Sequence, residues 1–356
     1  MNRPRFRSLA SLGLLSVSSF GCEVDYYSQL VAGELGSLCR TVPIAAALND
    51  PALTQEERDK LALTEQVRQF GIETIGLYAG SAYTVFEANG SEPAAYVLSA
   101  SAKEVFTTYE WDLLFVGPSA SKGFFDRQMG QRQADDLTGR GFDVYYARVD
   151  GFSTLGILPD PVRQSNLQLD DIELAELILH EMTHSTVFKP TDMNFSESLA
   201  TFVGRAAAQA WFEAAFGVES GQAQATRLRF ADKQVIDEYV NELFATMAAY
   251  YAEAAAGTPR ETILVEREAR FEASRARFAA VYQPRLDDPA RWGFISEMRL
   301  NNAQILAAIR YQGSLSDYQA VLDKVGGGFS QALAVFREAA ARSDSRAYLR
   351  AWVQDP

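Results

Sequence analysis

Residues 171–188 read DIELAELILHEMTHSTVF. Leu174, Leu177, Ile178 and Met182 recur at helical spacing, with no proline or glycine between them, so the stretch is predicted to be an amphipathic helix. Asp170 and Asp171 suit its positive N-terminal end, and Lys189-Pro190 closes it. The chain has two histidines, His180 and His184, and both lie here, four residues apart. Positions i and i+4 share one helix face, so both imidazoles can reach a single metal ion. Glu181 follows the first histidine and can take a proton from water beside that ion. The pattern is HExxH. The bland alternative, two surface histidines on an amphipathic helix, has to explain why the chain spends every histidine on this spacing.

A second apolar helical run starts near Phe195, FSESLATFVGRAAAQAWF. Glu197 lies one turn into it. Folding this helix back on the first would bring Glu197 to a third ligand position, giving a His2Glu set with one position open. Asp192 and Glu213 compete for that role, and Glu197 could instead serve its own helix N-terminus. Thr201, one turn further on, could hydrogen-bond Glu197 from behind the metal, or simply pack the helix.

The N-terminus reads as an export signal. Arg3, Arg5 and Arg7 form a basic start, and Leu9 to Val17 a short apolar stretch. It ends in Ser18-Ser19-Phe20-Gly21-Cys22, which resembles a bacterial lipobox, although Ser19 stands where leucine is common and Phe20 is bulky. Cleavage before Cys22 would leave it as the lipidated first residue, on the periplasmic face of the envelope. Ordinary secretion is the alternative. Two cysteines in all mean that lipidated Cys22 leaves Cys39 alone, whereas unmodified Cys22 permits a Cys22–Cys39 bridge.

The formal charge is −13. Residues 1–21 hold three arginines and no acid, so without them 30 basic residues face 46 acidic ones, a net −16. That argues against nucleic acid or anionic lipid as a partner and describes an acidic, solvated surface. A 47 % hydrophobic composition supports a full core.

Residues 23–41 are predicted to form a short helix and 54–75 a longer one. Tyr83–Phe86, Ala95–Leu98, Leu113–Val116 and Phe142–Val149 are β-rich, with Asn89-Gly90 as one turn signal and a helix over 124–138. From residue 171 onward nearly everything is helical, with breaks near Gly257-Thr258-Pro259, Pro284–Pro289, Gly313 and Gly326-Gly327-Gly328. The expected fold is α+β: a small sheet from the N-terminal half packed on a mainly helical C-terminal half, with the HExxH helix at the junction. The expected division is a signal segment 1–21, an α+β part 22–170 and a helical metal-binding part 171–356, together forming one catalytic unit.

These residues carry a resemblance. Cys22 with Tyr26-Tyr27-x-Gln29, Val67-Arg68-x-Phe70, Gly123-Phe124-Phe125-Asp126, Gly141 to Tyr145, Phe152 to Gly156, LILHEMTHSTVF with Asp192 and Glu197-Ser198, and Leu300 to Ala303 with Tyr311 are similar to a family named as putative bacterial aminopeptidases. The resemblance implies an exported, lipid-anchored zinc metallopeptidase of gluzincin type. It implies ligands at His180, His184 and Glu197, Glu181 as the base, and a peptide as substrate. The chain departs from the family at Ser196, where asparagine is usual, near Trp111, where a cysteine-containing stretch is missing, and at Ser121-Lys122-Gly123.

Such hydrolysis needs a donor for the developing oxyanion. No third histidine exists, so Tyr311 and the pair Tyr145 and Tyr146 are the candidates, each with core packing as its plainer role. Ser153 to Gly156 could be an edge strand that pairs with an extended substrate. Two other functions use the same residues: a metal-dependent amidase on a non-peptide envelope substrate, and a non-catalytic lipoprotein with a structural metal. A purely structural site has no need of a carboxylate at Glu181.

Overall fold

Local signals set most of the element boundaries. The computed structural model describes residues 11–88, 93–114, 117–149, 151, 160–254, 257–312 and 315–355, with only the backbone course for 11–23 and 312. Helix α1 (Ser11–Cys39) leads into strand β1 (Thr41–Pro43) and a single turn, α2 (Ile44–Ala47). Helix α3 (Gln55–Phe70) starts with a full capping box, the Thr54 side chain accepting from Glu57 N while the Glu57 side chain accepts from Thr54 N. It continues as a π-helical turn over Gly71–Ile75.

Seven further strands follow: β2 (Val85–Glu87), β3 (Ala95–Ser101), β4 (Trp111–Leu113), β5 (Gly117–Ser119), β6 (Lys122–Phe124), β7 (Asp143–Val149) and β8 (Val162–Arg163). Helix α4 (Arg127–Gly139), capped by Asp126, lies between β6 and β7. The strands form three small sheets where one was expected, in the orders β1-β2-β8, β6-β3-β7 and β4-β5. In the second, β3 and β7 pair antiparallel from Ala95↔Val149 to Ser101↔Asp143. The parallel β2–β8 pair joins segments distant in sequence, a contact that local patterning does not encode.

Helices supply the rest: α5 (Asp171–Thr186), α6 (Met193–Phe216), α7 (Gly221–Ala254), α8 (Arg260–Arg277), α9 (Asn302–Gln312), α10 (Leu315–Lys324), α11 (Phe329–Ala340) and α12 (Ser345–Gln354). The fold is α+β with a mainly helical C-terminal half. The largest core unites Leu61 and Val67 of α3, Ile178 of α5, Val203 of α6, Tyr318 of α10 and Phe336 of α11. Among the described residues no helix is long and apolar enough to cross a membrane.

One buried polar hub fixes the end of the molecule that carries α9. The Asp143 carboxylate, on β7, accepts from Arg267 Nη1 at 2.7 Å, Arg267 Nη2 at 3.1 Å and the Asn302 backbone N–H at 2.9 Å. Arg267 and Asn302 belong to α8 and α9, and Asn302 Nδ2 also donates to Ala102 O at 2.9 Å. Breaking such a buried pair leaves a charge without compensation, at a cost of about 3–5 kcal/mol. The hub holds α9 against the β3–β7 sheet, which settles where Arg310 and Tyr311 fall.

Three expectations need correction. The first helix starts at Ser11 and runs through Cys22 without a break, rather than starting at residue 23. Cys22 and Cys39 therefore sit on one helix, roughly 25 Å apart at 1.5 Å per residue, too far for a disulfide while α1 is intact. Cys39 is a free, exposed thiol. Tyr83 is not in a strand: its φ is +59°, and β2 begins two residues later. A bulky aromatic side chain in the left-handed region is strained, and here its backbone N–H is held by Asp160 O at 2.7 Å. The Asn89-Gly90 turn, Val116, Gly313 and the Ser153 to Gly156 edge strand lie outside the described residues.

Candidate metal centre

Helix α5 begins where Asp170 caps it, accepting from Glu173 N at 2.9 Å. It ends near Val187, and the chain turns back within a few residues. Ser196, in the first turn of α6, closes that turn: its Oγ accepts from Lys189 N at 3.0 Å and donates to Lys189 O at 3.2 Å. Lys189 is also anchored, its Nζ donating to Arg342 O at 2.7 Å and to Ser345 Oγ at 2.9 Å. Asp192 is occupied as the N-cap of α6, accepting from Phe195 N at 3.0 Å.

Helices α5 and α6 then run close together because Gly204 has no side chain. A Cβ there would meet Glu176 O at 3.0 Å and both Cβ and N of His180 at 3.2 Å. Glu197, two turns before Gly204 on α6, is thereby delivered to the histidines. The two Nε2 atoms are 3.2 Å apart, and Glu197 Oε2 is 3.5 Å from each. Glu213, the other competitor, pairs instead with Arg227 at 2.9 Å.

Two ring nitrogens and one carboxylate oxygen thus form a nearly equilateral triangle. Donors about 2.0–2.1 Å from a tetrahedral ion stand about 3.3 Å from one another, so the spacing suits such an ion without rearrangement. His180, His184 and Glu197 form a possible metal-binding triad.

The electrostatics follow from burial and mutual proximity. Burial opposes ionisation of Glu197, but hydrogen bonds with His180 and His184 outweigh it and hold its carboxyl far below the usual range. Burial also opposes charging of His184, and Glu197 again wins, raising its pKa. Glu181 behaves oppositely: burial pushes its carboxyl up and the two histidines offset this only in part. Glu181 is held from the far side by Gly151, where a Cβ would come within 2.5 Å of its Oε1. Strained Tyr83 lies near enough to feel that carboxylate, which adds to the effect of burial in raising the phenol's pKa.

The triad and Glu181 line a cleft of about 690 Å³, together with Val97, Ser119 and Val149 from the strands and Arg310 and Tyr311 from α9. The Tyr311 ring lies 6.4 Å from the His180 ring, centroid to centroid. Tyr311 is 39 % exposed as a residue, but desolvation where it lines the cleft, then the Glu197 charge, push its pKa up, so it stays a donor at neutral pH. Tyr146 is committed elsewhere, stacked on Tyr96 and donating to Arg127 O at 3.0 Å. Tyr145 is not among the described residues lining the cleft. Thr201 lines it but makes no hydrogen bond to Glu197 among the described residues.

Behind His180, Glu176 meets Arg205 and Lys233, and Arg205 also grips Asp237 at 2.5 Å. Burial would raise the Glu176 pKa, but the two cations overturn that and lower it. Sequence reasoning passed over this network, and Gly151, Gly204 and Tyr83 as well. The glycines matter through neighbours far along the chain, for which one sequence has no signal.

The chain matches the family model described as "Putative aminopeptidase" over residues 25–348. The chain belongs to that family. The matched span covers α3 through α11 and includes every residue of the triad, Glu181, Arg310 and Tyr311. Membership supports a peptidase with a peptide substrate. No curated protein and no solved structure matches the chain.

Proposed function

We propose that this is a zinc metallopeptidase of gluzincin type, with His180, His184 and Glu197 as the metal ligands and Glu181 as the general base. The observation that carries the reading is the triangle of donor atoms at 3.2, 3.5 and 3.5 Å, with a buried carboxylate one residue from the first ligand. Two imidazoles and one carboxylate are the donor set of hydrolytic zinc sites, which keep one position open. Bound zinc would supply Lewis acidity there, polarising a carbonyl and making water acidic enough to attack near neutral pH.

The chain's own groups do the rest. Glu181, wedged between Gly151 and the histidines, accepts the proton of the attacking water and returns it to the leaving amine. Tyr311, protonated and beside His180, donates a hydrogen bond toward the oxygen that gains charge. Val97, Ser119 and Val149 supply the strand side of the cleft in which the substrate would lie.

The working place proposed is the periplasmic face of a bacterial envelope, through lipid on Cys22. The basic start, apolar stretch and Gly21-Cys22 of the sequence support it.

The deciding experiment is peptide cleavage by the purified protein before chelation, after it, and after restoring zinc, with N-terminally free and N-terminally blocked peptides. Cleavage that disappears with chelator and returns with zinc is expected. Cleavage indifferent to chelator would end the metallopeptidase reading. Hydrolysis of blocked peptides at internal bonds would leave the metal chemistry standing and remove the restriction to N-termini.

A further inference from the structure

Among the described residues lining the cleft, one cation has no ion-pair partner. Arg310, in the last turn of α9, is only 8 % exposed, yet among the described residues it makes no hydrogen bond and no ion pair. The other cations lining the cleft are matched: Arg205 by Glu176 and Asp237, Lys233 by Glu176. The acids there are engaged too. Glu197 and Glu181 belong to the metal centre, and Glu173 is paired with Arg291 and Arg229. Arg310 is thus the lining cation left without an acidic partner among the described residues, in a chain whose overall charge is −13.

Most of the Arg310 side chain is buried, but its unpartnered guanidinium nitrogens meet the space of the cleft, where an arriving anion would gain charge-assisted hydrogen bonds. The guanidinium's planar fork of donors fits a carboxylate through two parallel hydrogen bonds. Arg310 precedes Tyr311, whose ring faces His180, and both side chains line the same cleft as the triad. A cleft of about 690 Å³ has the size of a small-ligand site.

We propose that Arg310 receives the α-carboxylate of a short peptide, so that the substrates are small peptides cut close to a free C-terminus. This rests on the metallopeptidase reading for the cleavage and on Arg310 alone for the carboxylate. An aspartate or glutamate side chain offers the same chemical group, and the test separates the two sources.

The test has a binding arm that needs no turnover. N-acetyl-Ala-Ala, its C-terminal amide, and N-acetyl-Ala-Glu with amidated α-carboxyl are titrated calorimetrically into the full chain stripped of metal. The free acid is expected to bind about tenfold more tightly than its amide, a scale appropriate to a charge-assisted pair. Arg310→Gln should erase that preference and Arg310→Lys retain part of it. Equal binding of acid and amide by the wild type, or binding of neither, overturns the proposal without reliance on any variant. Preference for the glutamate peptide over the free acid overturns the α-carboxylate assignment.

In the second arm the zinc-loaded enzyme cleaves free and amidated tripeptides, and Arg310→Gln should raise KM for the free acids about tenfold with little change in kcat. Cleavage with no preference for acids sinks this inference alone. Acid binding without any cleavage sinks the metallopeptidase reading alone.

Discussion

Gly204 lies directly against His180: a single methyl group on it would press on both the Cβ and the backbone nitrogen of the histidine at 3.2 Å. The contact sets the separation of α5 and α6, and hence the distance from Glu197 to both imidazoles. Gly204→Ala is expected to destabilise the fold by about 1–3 kcal/mol, the range for overpacking, and to weaken zinc retention although it alters no ligand. Thermal melts with and without zinc test this. A variant that binds zinc as tightly as the wild type would show that the helices have slack.

Ligand substitutions should divide sharply. His180→Ala, His184→Ala and Glu197→Ala are each expected to abolish stoichiometric zinc by elemental analysis. Asp192→Ala should cost about 1 kcal/mol through the lost cap yet keep the metal, and Glu213→Ala should keep it as well. Metal lost from Asp192→Ala but kept by Glu197→Ala would reverse the assignment of the third ligand.

Glu181 makes a separate test of chemistry. Glu181→Gln preserves shape and removes the proton acceptor, so zinc and fold should persist while hydrolysis falls by ~100-fold or more. Zinc lost along with activity would make the residue structural.

Gly151→Ala reaches the same carboxylate from outside the motif. The added methyl would meet Glu181 Oε1 at 2.5 Å and Leu177 Cδ1 at 2.6 Å, so the carboxylate or the chain must shift. Activity should fall at least tenfold with zinc content unchanged, since sub-ångström positioning of a base matters to rate. Unimpaired kcat/KM would mean that the segment yields without cost.

The proposed anchor is checked by labelling. Cells fed a tagged fatty acid should mark the wild-type chain and not Cys22→Ser. An unmarked wild type found outside the cells would point to plain secretion.

The motif helix, its Asp170 cap and the second helix with Glu197 one turn in were all legible, because helix periodicity and capping are local. So were β3 and β7, whose enrichment in strand-favouring residues is local too. The division into three sheets was not, since β2 finds β8 across the whole N-terminal half. Nor could the tyrosines be ranked: Tyr146 and Tyr311 are alike in sequence, and only the packing of β7 on α4 and of α9 on the sheet separates them. Tyr83 looked like a strand residue because its neighbours favour strands, whereas its own φ is fixed by the long-range bond to Asp160. Arg310 stood among many arginines, and only burial without a partner singles it out. Even Ser196, a departure from the family pattern, makes sense once it is seen to close the turn at Lys189.

The Lys189 ammonium reaches across 153 residues of sequence to grip the backbone of Arg342. Between them the chain passes through the turn at Gly326 and Gly327, both with positive φ and no side chain to shield them. A protease that nicked this turn would cut none of the ligands. It would, however, free the segment that holds Lys189 in place, and with it the turn that positions Glu197. Clipping far from the active site would then register as slow leakage of metal, and a preparation's zinc content would report on the integrity of its polypeptide.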